Sequence, residues 1–373
     1  VLFEAFLAEG RFATPGEVMD IIAPIGWFLV AGSLVELTLA YRLPQLRPQA
    51  RTMRFDWSAY ARGRYLRDNL HEAWDNSVIW LSIVGLSVFW AISQVVVAVF
   101  PAFLKETQHI ENTVILQGVL ASSGIGIILG SLLASRYSRG HIETGLIPVG
   151  ALGIAAALFV LPELGSASAH AVNFLLLGVL GGVFLVPLNA LIQFHAGEQA
   201  LGRVLAANNF IQNVVMLAAL GLTVASALLQ AGSVGIIAAL GVVALVGALY
   251  TLFKLPQSLV RFLAARLLAT HYRLEVIGLK NLPAQGGVLM LGNHISWVDW
   301  AMVQMARPRP VSFVMERGIY ERWYLKWFLD LFGVVPISGG QSKGSISAIR
   351  ELLTAGEVVC MFPEGAISRN GQL

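Results

Sequence analysis

Seven apolar runs, each about as long as a helix needs to cross a bilayer, leave this chain few ways to fold. They cover residues 21–40 and then about 78–103, 113–135, 144–163, 171–194, 204–230 and 233–255. A hydrocarbon core of ~30 Å takes about 20 helical residues, so each run predicts a transmembrane helix. Composition agrees. Only 13% of the 373 residues are charged and 56% are hydrophobic, with a mean hydropathy of +0.71, whereas a soluble domain carries about 25% charge. The net charge of +3 is too small to argue for a nucleic-acid partner. Cys360 is the single cysteine, which excludes a disulfide framework and, in its apolar setting, reads as core.

The arginines orient the helices. Residues 42–68 hold Arg42, Arg47, Arg51, Arg54, Arg62, Arg64 and Arg67, which predicts a cytoplasmic loop, here bounded at 42–76. Alternation then puts Arg136, Arg139, Arg203 and Lys254 on the same side. The opposite loops, near 105–111 and 162–170, contain one lysine and no arginine. Polar side chains inside apolar spans are candidates for function. Asn208 and Gln212, and Asn209 and Asn213, are each four apart and share a broad helix face. They either line a transport cavity or hydrogen-bond neighbouring helices. Asn189 and Gln193 repeat the spacing and read as packing. Gly124, Gly126, Gly178, Gly181 and Gly182 predict close helix approach.

After Lys254 the pattern changes. Residues 258–269 set Arg261 and Arg266 among apolar residues, as in a short amphipathic helix on the membrane surface or a plain connector. Strands are expected at 272–277, 288–292, 311–315, 333–337 and 357–362, separated by helices at 297–306, 320–332 and 345–355. This alternation predicts an α/β layer fold with its apolar strands covered on both sides. No run here is long enough to span a bilayer. The domains are therefore expected at 1–255, transmembrane, and 256–373, α/β.

Two signatures lie at the ends of expected strands. Val288-Leu-Met-Leu-Gly-Asn-His-Ile-Ser-Trp-Val-Asp299 carries Asn293, His294, Ser296 and Asp299 past a glycine. A carboxylate five positions after a histidine, across a strand-to-helix corner, can take one imidazole nitrogen and leave the other to accept a proton. The second run, Val358 to Gly365, ends in Phe362-Pro363-Glu364-Gly365. Together and in this order they resemble the glycerolipid acyltransferases, which acylate lysophosphatidic acid and other lysophospholipids. The resemblance runs from about residue 256 to the end. It implies His294 as general base, Asp299 as the acid that orients it, and Asn293, Ser296, Phe362, Pro363, Glu364 and Gly365 as the substrate-binding set, with Glu364 on the acceptor. The acceptor alcohol is then the nucleophile, with no acyl-enzyme. No metal or bound cofactor is implied; the co-substrate would be acyl-CoA or an acyl carrier protein thioester. Members that acylate phosphate monoesters carry a Gly-x-x-x-Ile-x-Arg pattern. Here Gly333-Val-Val-Pro-Ile337-Ser-Gly339 has glycine for the arginine, which favours a phosphodiester headgroup unless Lys343, Arg350 or Arg369 substitutes. The family's last motif lies beyond this sequence, so the domain is read as truncated.

The helical half resembles the second half of a major facilitator superfamily transporter, with the basic loop joining two six-helix halves. Gly130-Ser-Leu-Leu-Ala-Ser-Arg136-Tyr-Ser-Arg139-Gly140 looks like that superfamily's Gly…Asp-Arg-x-Gly-Arg loop with Ser135 in place of the acid. The order of segments resembles lysophospholipid transporters fused to an acyltransferase and an acyl-carrier-protein synthetase. Val1 is not an initiator methionine, and both ends read as cuts through a longer polypeptide. The resulting expectation is a multi-pass protein of a bacterial inner membrane. It would move lysophospholipid, reacylate it in the cytoplasm and use acyl carrier protein as a partner. The rivals are a 1-acylglycerol-3-phosphate acyltransferase with a membrane anchor, and a transporter with a non-catalytic appendage.

Overall fold

The computed structural model describes residues 15–42, 55–110, 112–278, 281–283, 285–306, 309–338 and 342–368. Residues up to Tyr65 form one unit and those from Leu66 a second. In the first, α1 (Pro15–Tyr41) contains the expected run 21–40. Its 27 residues rise ~40 Å, enough to cross a bilayer. The described part of the arginine-rich stretch, residues 55–76, is largely helical. Asp56 caps α2 (Trp57–Ala61), its carboxylate accepting the N–H groups of Ser58 at 2.8 Å and Ala59 at 3.2 Å. Phe55 packs on Trp57, Tyr60 and Tyr65. Amphipathic α3 (Arg64–Trp74) follows.

The second unit, which opens with most of α3, continues as a helical bundle: α4 (Ser77–Gln108), α5 (Thr113–Tyr137), α6 (Leu146–Val160), α7 (Ala167–Leu228) and α8 (Ser233–Lys254). Asn76, Asn112 and Ser166 start α4, α5 and α7 by accepting N–H groups that the first turn leaves without helical partners. The 62 residues of α7 hold the two expected spans 171–194 and 204–230. In place of a loop between them there is one non-helical residue, Gly197, at φ 65° and ψ 161°. Only glycine takes that conformation cheaply, so a break of one residue suffices.

The contacts at the bundle ends group the loops as alternation of the helices does. At one end Arg203 pairs with Glu72 at 2.9 Å, and Thr144 donates to Ser258 at 2.9 Å, just past Lys254. At the other, Glu106 accepts from Ser233, and Gln108 donates to the Leu164 carbonyl at 2.7 Å. The core gathers fully buried Ile83, Leu86, Phe100 and Phe103. Gly126 and Gly178 face each other where α5 crosses α7: a Cβ on Gly178 would stand 2.1 Å from the Ser123 carbonyl oxygen. Gly182 is equally enclosed, and Gly181 meets the Phe89 ring. Gly124 faces open space, because it points away from that crossing.

The α/β part comprises α9 (Pro256–His271), β1 (Val288–Leu291), α10 (Asp299–Met305), β2 (Val311–Glu316), α11 (Arg317–Tyr320), α12 (Trp323–Leu331), β3 (Val335–Ile337), α13 (Ser342–Thr354) and β4 (Val358–Met361). The strands are parallel in the order β1-β4-β2-β3. Central β4 buries Val358, Val359 and Cys360, as expected. Two expectations are corrected. Residues 272–277 alternate but form no strand, since no described strand lies alongside to share hydrogen bonds. Edge strand β1 leaves Leu289 and Leu291 exposed, so the sheet is not covered throughout. Helix α9 forms over 256–271, but its cations serve the protein. Arg266 lies over the rings of Tyr137 (4.8 Å) and Phe262 (5.7 Å), and burial lowers the affinity of Arg261 for its proton while nearby Glu143 opposes this. Val260 of α9 packs against the α/β core, so α9 joins both parts of the unit.

Candidate active site

In a parallel sheet the carboxyl ends of all strands lie along one edge, where open α/β folds place their chemistry. The chain leaves β1 through Gly292, whose N–H bonds the Met361 carbonyl at 3.2 Å and holds the β1 and β4 ends together. His294 follows. Its Nδ1–H donates to Asp299 Oδ2 at 2.9 Å; a carboxylate only accepts, so Nδ1 carries the proton. The same oxygen takes the N–H groups of Ile295 (2.7 Å) and Ser296 (2.8 Å). Nε2 has no protein partner among the described residues and is open to a substrate hydroxyl.

Partial burial pushes the Asp299 carboxyl up. The bonds from Ser296 N–H, the His294 ring and Ile295 N–H more than cancel this, so its pKa lies below the usual value. The Phe-Pro-Glu-Gly turn completes the site from β4. The Phe362 ring stacks on the imidazole, centroids 4.6 Å apart and planes within 13°, and Phe313 of β2 extends the stack. Glu364 accepts the His294 N–H at 3.4 Å, and the His294 carbonyl accepts from Ser368 at 2.7 Å. Gly365 closes the turn at φ 65°, its N–H on the Phe362 carbonyl.

The structure thus brings His294, Asp299, Phe362 and Glu364 together across two adjacent strands. Pro363 and Gly365 shape the turn, and Asn293 is exposed beside it. Ser296 does not cap the helix carrying Asp299: its Oγ accepts from Val298 N–H at 3.4 Å, and Val298 itself is the cap position. The reason is that Asp299 turns back to the 295–296 amides, which tightens the corner before α10. Sequence reading missed Ser368, whose backbone N–H bonds the His294 carbonyl. Gly339 and Arg369 lie outside the described residues. Among the described residues no cluster of three or more His, Cys, Asp or Glu could hold a metal.

In the bundle, Gln212 donates to Asn208 Oδ1 at 2.7 Å, and Asn208 is 5% exposed. Asn213 bonds the Asn209 backbone carbonyl at 2.7 Å, and both side chains face outward. Asn189 bonds Leu185 within its own helix at 2.9 Å, and Gln193 is exposed. A cavity of about 320 Å³ lies elsewhere, among Val88, Phe89, Ile92, Phe184, Leu188 and Ala248, with Lys254 at one end. None of the four amides called for transport lines it. His170, which sequence reading passed over, is fully buried against Phe100, Phe103 and Gln108.

Comparison with known proteins supplies two family matches. Residues 21–220 match the family model described as Major Facilitator Superfamily, and residues 273–373 the one described as Acyltransferase. The chain is 31% identical over 156 residues to "Lysophospholipid transporter LplT" of Photorhabdus laumondii, covering 40% of this chain and 37% of that protein. It is 29% identical over 184 residues to the protein of the same name from Serratia proteamaculans, with 48% and 44% covered. Over 106 residues it is 28% identical to "1-acyl-sn-glycerol-3-phosphate acyltransferase LPAT1, chloroplastic" of Arabidopsis thaliana, with 27% and 30% covered. The chain spans less than half the length of these relatives. No solved structure matches it.

Proposed function

This chain belongs to the Major Facilitator Superfamily, and from that premise we propose that it moves lysophospholipid across a bacterial inner membrane and reacylates it in the cytoplasm. The observation that carries the chemistry is the His294–Asp299 pair, with Nε2 unpartnered among the described residues and Glu364 in the turn after the adjoining strand. Nε2 takes the proton of the glycerol hydroxyl as that oxygen attacks the thioester carbonyl. When the tetrahedral adduct collapses, the thiolate leaves and receives the proton from Nε2–H. Asp299 holds the ring in the tautomer that makes this possible and stabilises the imidazolium formed in between. Acyl-CoA or an acyl carrier protein thioester is the donor. The apolar cavity ending at Lys254 has room for part of an acyl chain, with a cation to meet a phosphate.

The acceptor carries a phosphodiester headgroup. Glycine stands at 339 where the resemblance would put an arginine, and a dianionic monoester is best met by an arginine fork. In full-length protein given an acyl thioester, His294→Ala lowers acyl transfer by ~10²–10⁴-fold while membrane insertion is unchanged. Wild type acylates lysophosphatidylethanolamine or lysophosphatidylglycerol faster than lysophosphatidic acid. Activity of His294→Ala within about threefold of wild type removes the catalytic assignment. A preference for lysophosphatidic acid instead supports a membrane-anchored 1-acylglycerol-3-phosphate acyltransferase, the reading favoured by the LPAT1 similarity.

A further inference from the structure

Helix α12 has two unlike faces, and neither is the polar face of a helix in water. Its inner side sets Phe328 and Leu329, with Phe332 just beyond, against the domain core; Trp300 of α10 lies 5.2 Å from Phe328 and 5.6 Å from Phe332. Its outer side presents Trp323, Tyr324 and Trp327, one turn apart, with Trp323 85% and Trp327 64% exposed. Large exposed aromatics grouped on one helix mark an interaction surface. Indole and phenol rings, apolar in body and polar at one edge, suit the boundary between headgroups and acyl chains.

The fold limits how far this helix lies from the end of the last apolar helix. The last membrane helix, α8, ends at Lys254, and α9 begins two residues later. In the first turn of α9, Gln257 donates its side-chain N–H to the carbonyl of Leu331, the last residue of α12. Helix α9 is itself held to the bundle end: Ser258 by Thr144, and Phe262 against Tyr137 with ring centroids 5.7 Å apart. Nine residues rise ~13.5 Å, so all of α12 lies within about that distance of a point level with the helix ends. The half-polar zone at each bilayer surface is itself ~5–8 Å deep.

Charge agrees. Arg317, Arg322 and Lys326 accompany the aromatic residues, while Glu321 pairs with Arg317 and Asp330 accepts from the Tyr320 hydroxyl. Lys326 lies 5.1 Å over the Tyr320 ring, and Arg322 donates to the Tyr324 oxygen at 3.1 Å. Cations interleaved with Trp and Tyr fit a surface of lipid phosphates.

We propose that the outer face of α12 is seated in the headgroup zone of the leaflet from which α8 emerges. It acts as a second membrane contact for the domain, besides the covalent tether at residues 254–256. This placement rests on the membrane helices and not on the acyl-transfer reading. The test uses full-length protein in phosphatidylethanolamine–phosphatidylglycerol vesicles. Trp323→Cys, Trp327→Cys and, on α13, the exposed control Ser347→Cys each carry a polarity-sensitive fluorophore. Labels at 323 and 327 emit to the blue of the label at 347, and phospholipid bearing a headgroup-proximal spin label quenches them at least twofold more. Tyr324→Cys repeats the measurement if either tryptophan variant fails to insert. Water-like emission at all positions with no lipid quenching overturns the proposal. So does a blue shift that arises only on adding acidic acyl carrier protein, which makes the face a protein-docking surface. The readout needs no turnover, so it fails or succeeds independently of the His294 assay.

Discussion

Asp299 gathers the His294 ring and two backbone N–H groups on one carboxylate oxygen. It therefore builds the corner and orients the imidazole at once. In Asp299→Asn the amide keeps a carbonyl for the backbone but loses the charge that matches the imidazolium. Acyl transfer falls by ~10²–10⁴-fold, measured as kcat on a saturating acceptor. Stability gives a second readout. The Asp299 pKa is lowered in the fold, so the stability it brings is complete above the ordinary aspartate value and is lost as pH falls through the lowered one. Wild type thus melts above Asp299→Asn at every pH from about 8 to 5, and the gap narrows as the pH falls below the ordinary aspartate value. A gap that persists unchanged in acid assigns the effect to shape and not to charge. The pairing of His294 with Asp299 was legible from their spacing. The contact of Glu364 with the His294 backbone was not, because 70 residues separate the two and only the β1–β4 pairing joins them.

At the scale of elements, glycines set how closely α5 and α7 approach. A Cβ at Gly178 would lie 2.1 Å from the Ser123 carbonyl oxygen and 2.9 Å from the Gly126 Cα. Both are backbone atoms that cannot rotate away, so the helices must separate. Gly178→Ala costs about 1–3 kcal/mol, the range for forcing extra methylenes into a packed interior. Gly124→Ala, two residues from Gly126 on the same helix, meets nothing within 4 Å and gains a few tenths to about 1 kcal/mol from helix propensity. Thermal unfolding of both variants in one detergent checks the sign of each. Hydropathy showed where these helices lie, and the small-residue pattern showed that some would pack closely. Which glycine faces a neighbour depends on helix rotation, which packing partners fix.

For the whole molecule, the alternation of arginine-rich and arginine-poor ends predicts topology. Arg139 and Ser168 are exposed in turns or helix starts at opposite ends of the bundle. Arg139→Cys is labelled by an impermeant maleimide only from the cytoplasmic side of sealed vesicles, and Ser168→Cys only from the other. Cys360 is buried and adds no signal. Labelling of both from one side breaks the helix count and the transporter reading with it. The link between halves is a matter of this scale too. Helix α9 spends its aromatic and cationic side chains on Tyr137 and Glu143 of the bundle and its Val260 on the α/β core. The sequence divides at 255/256, but the folded unit is continuous across that point.

Sequence alone determined what depends on composition over one element. Apolar runs long enough to cross a bilayer became helices, and the His-x₄-Asp corner formed at a strand end, since both follow from local geometry and desolvation. Tertiary structure decided what depends on partners. Residues 272–277 have the alternation of a strand but no described neighbour, so no ladder forms. The span between 195 and 203 shrank to Gly197, because one left-handed residue redirects a helix that packing holds on both sides. Helix α12 was tied to the end of the last apolar helix only through Gln257, whose side chain donates to the carbonyl of Leu331, 74 residues away in the chain. A pattern of side chains fixes which faces must be covered, whereas what covers them is settled by contacts between residues far apart in the chain.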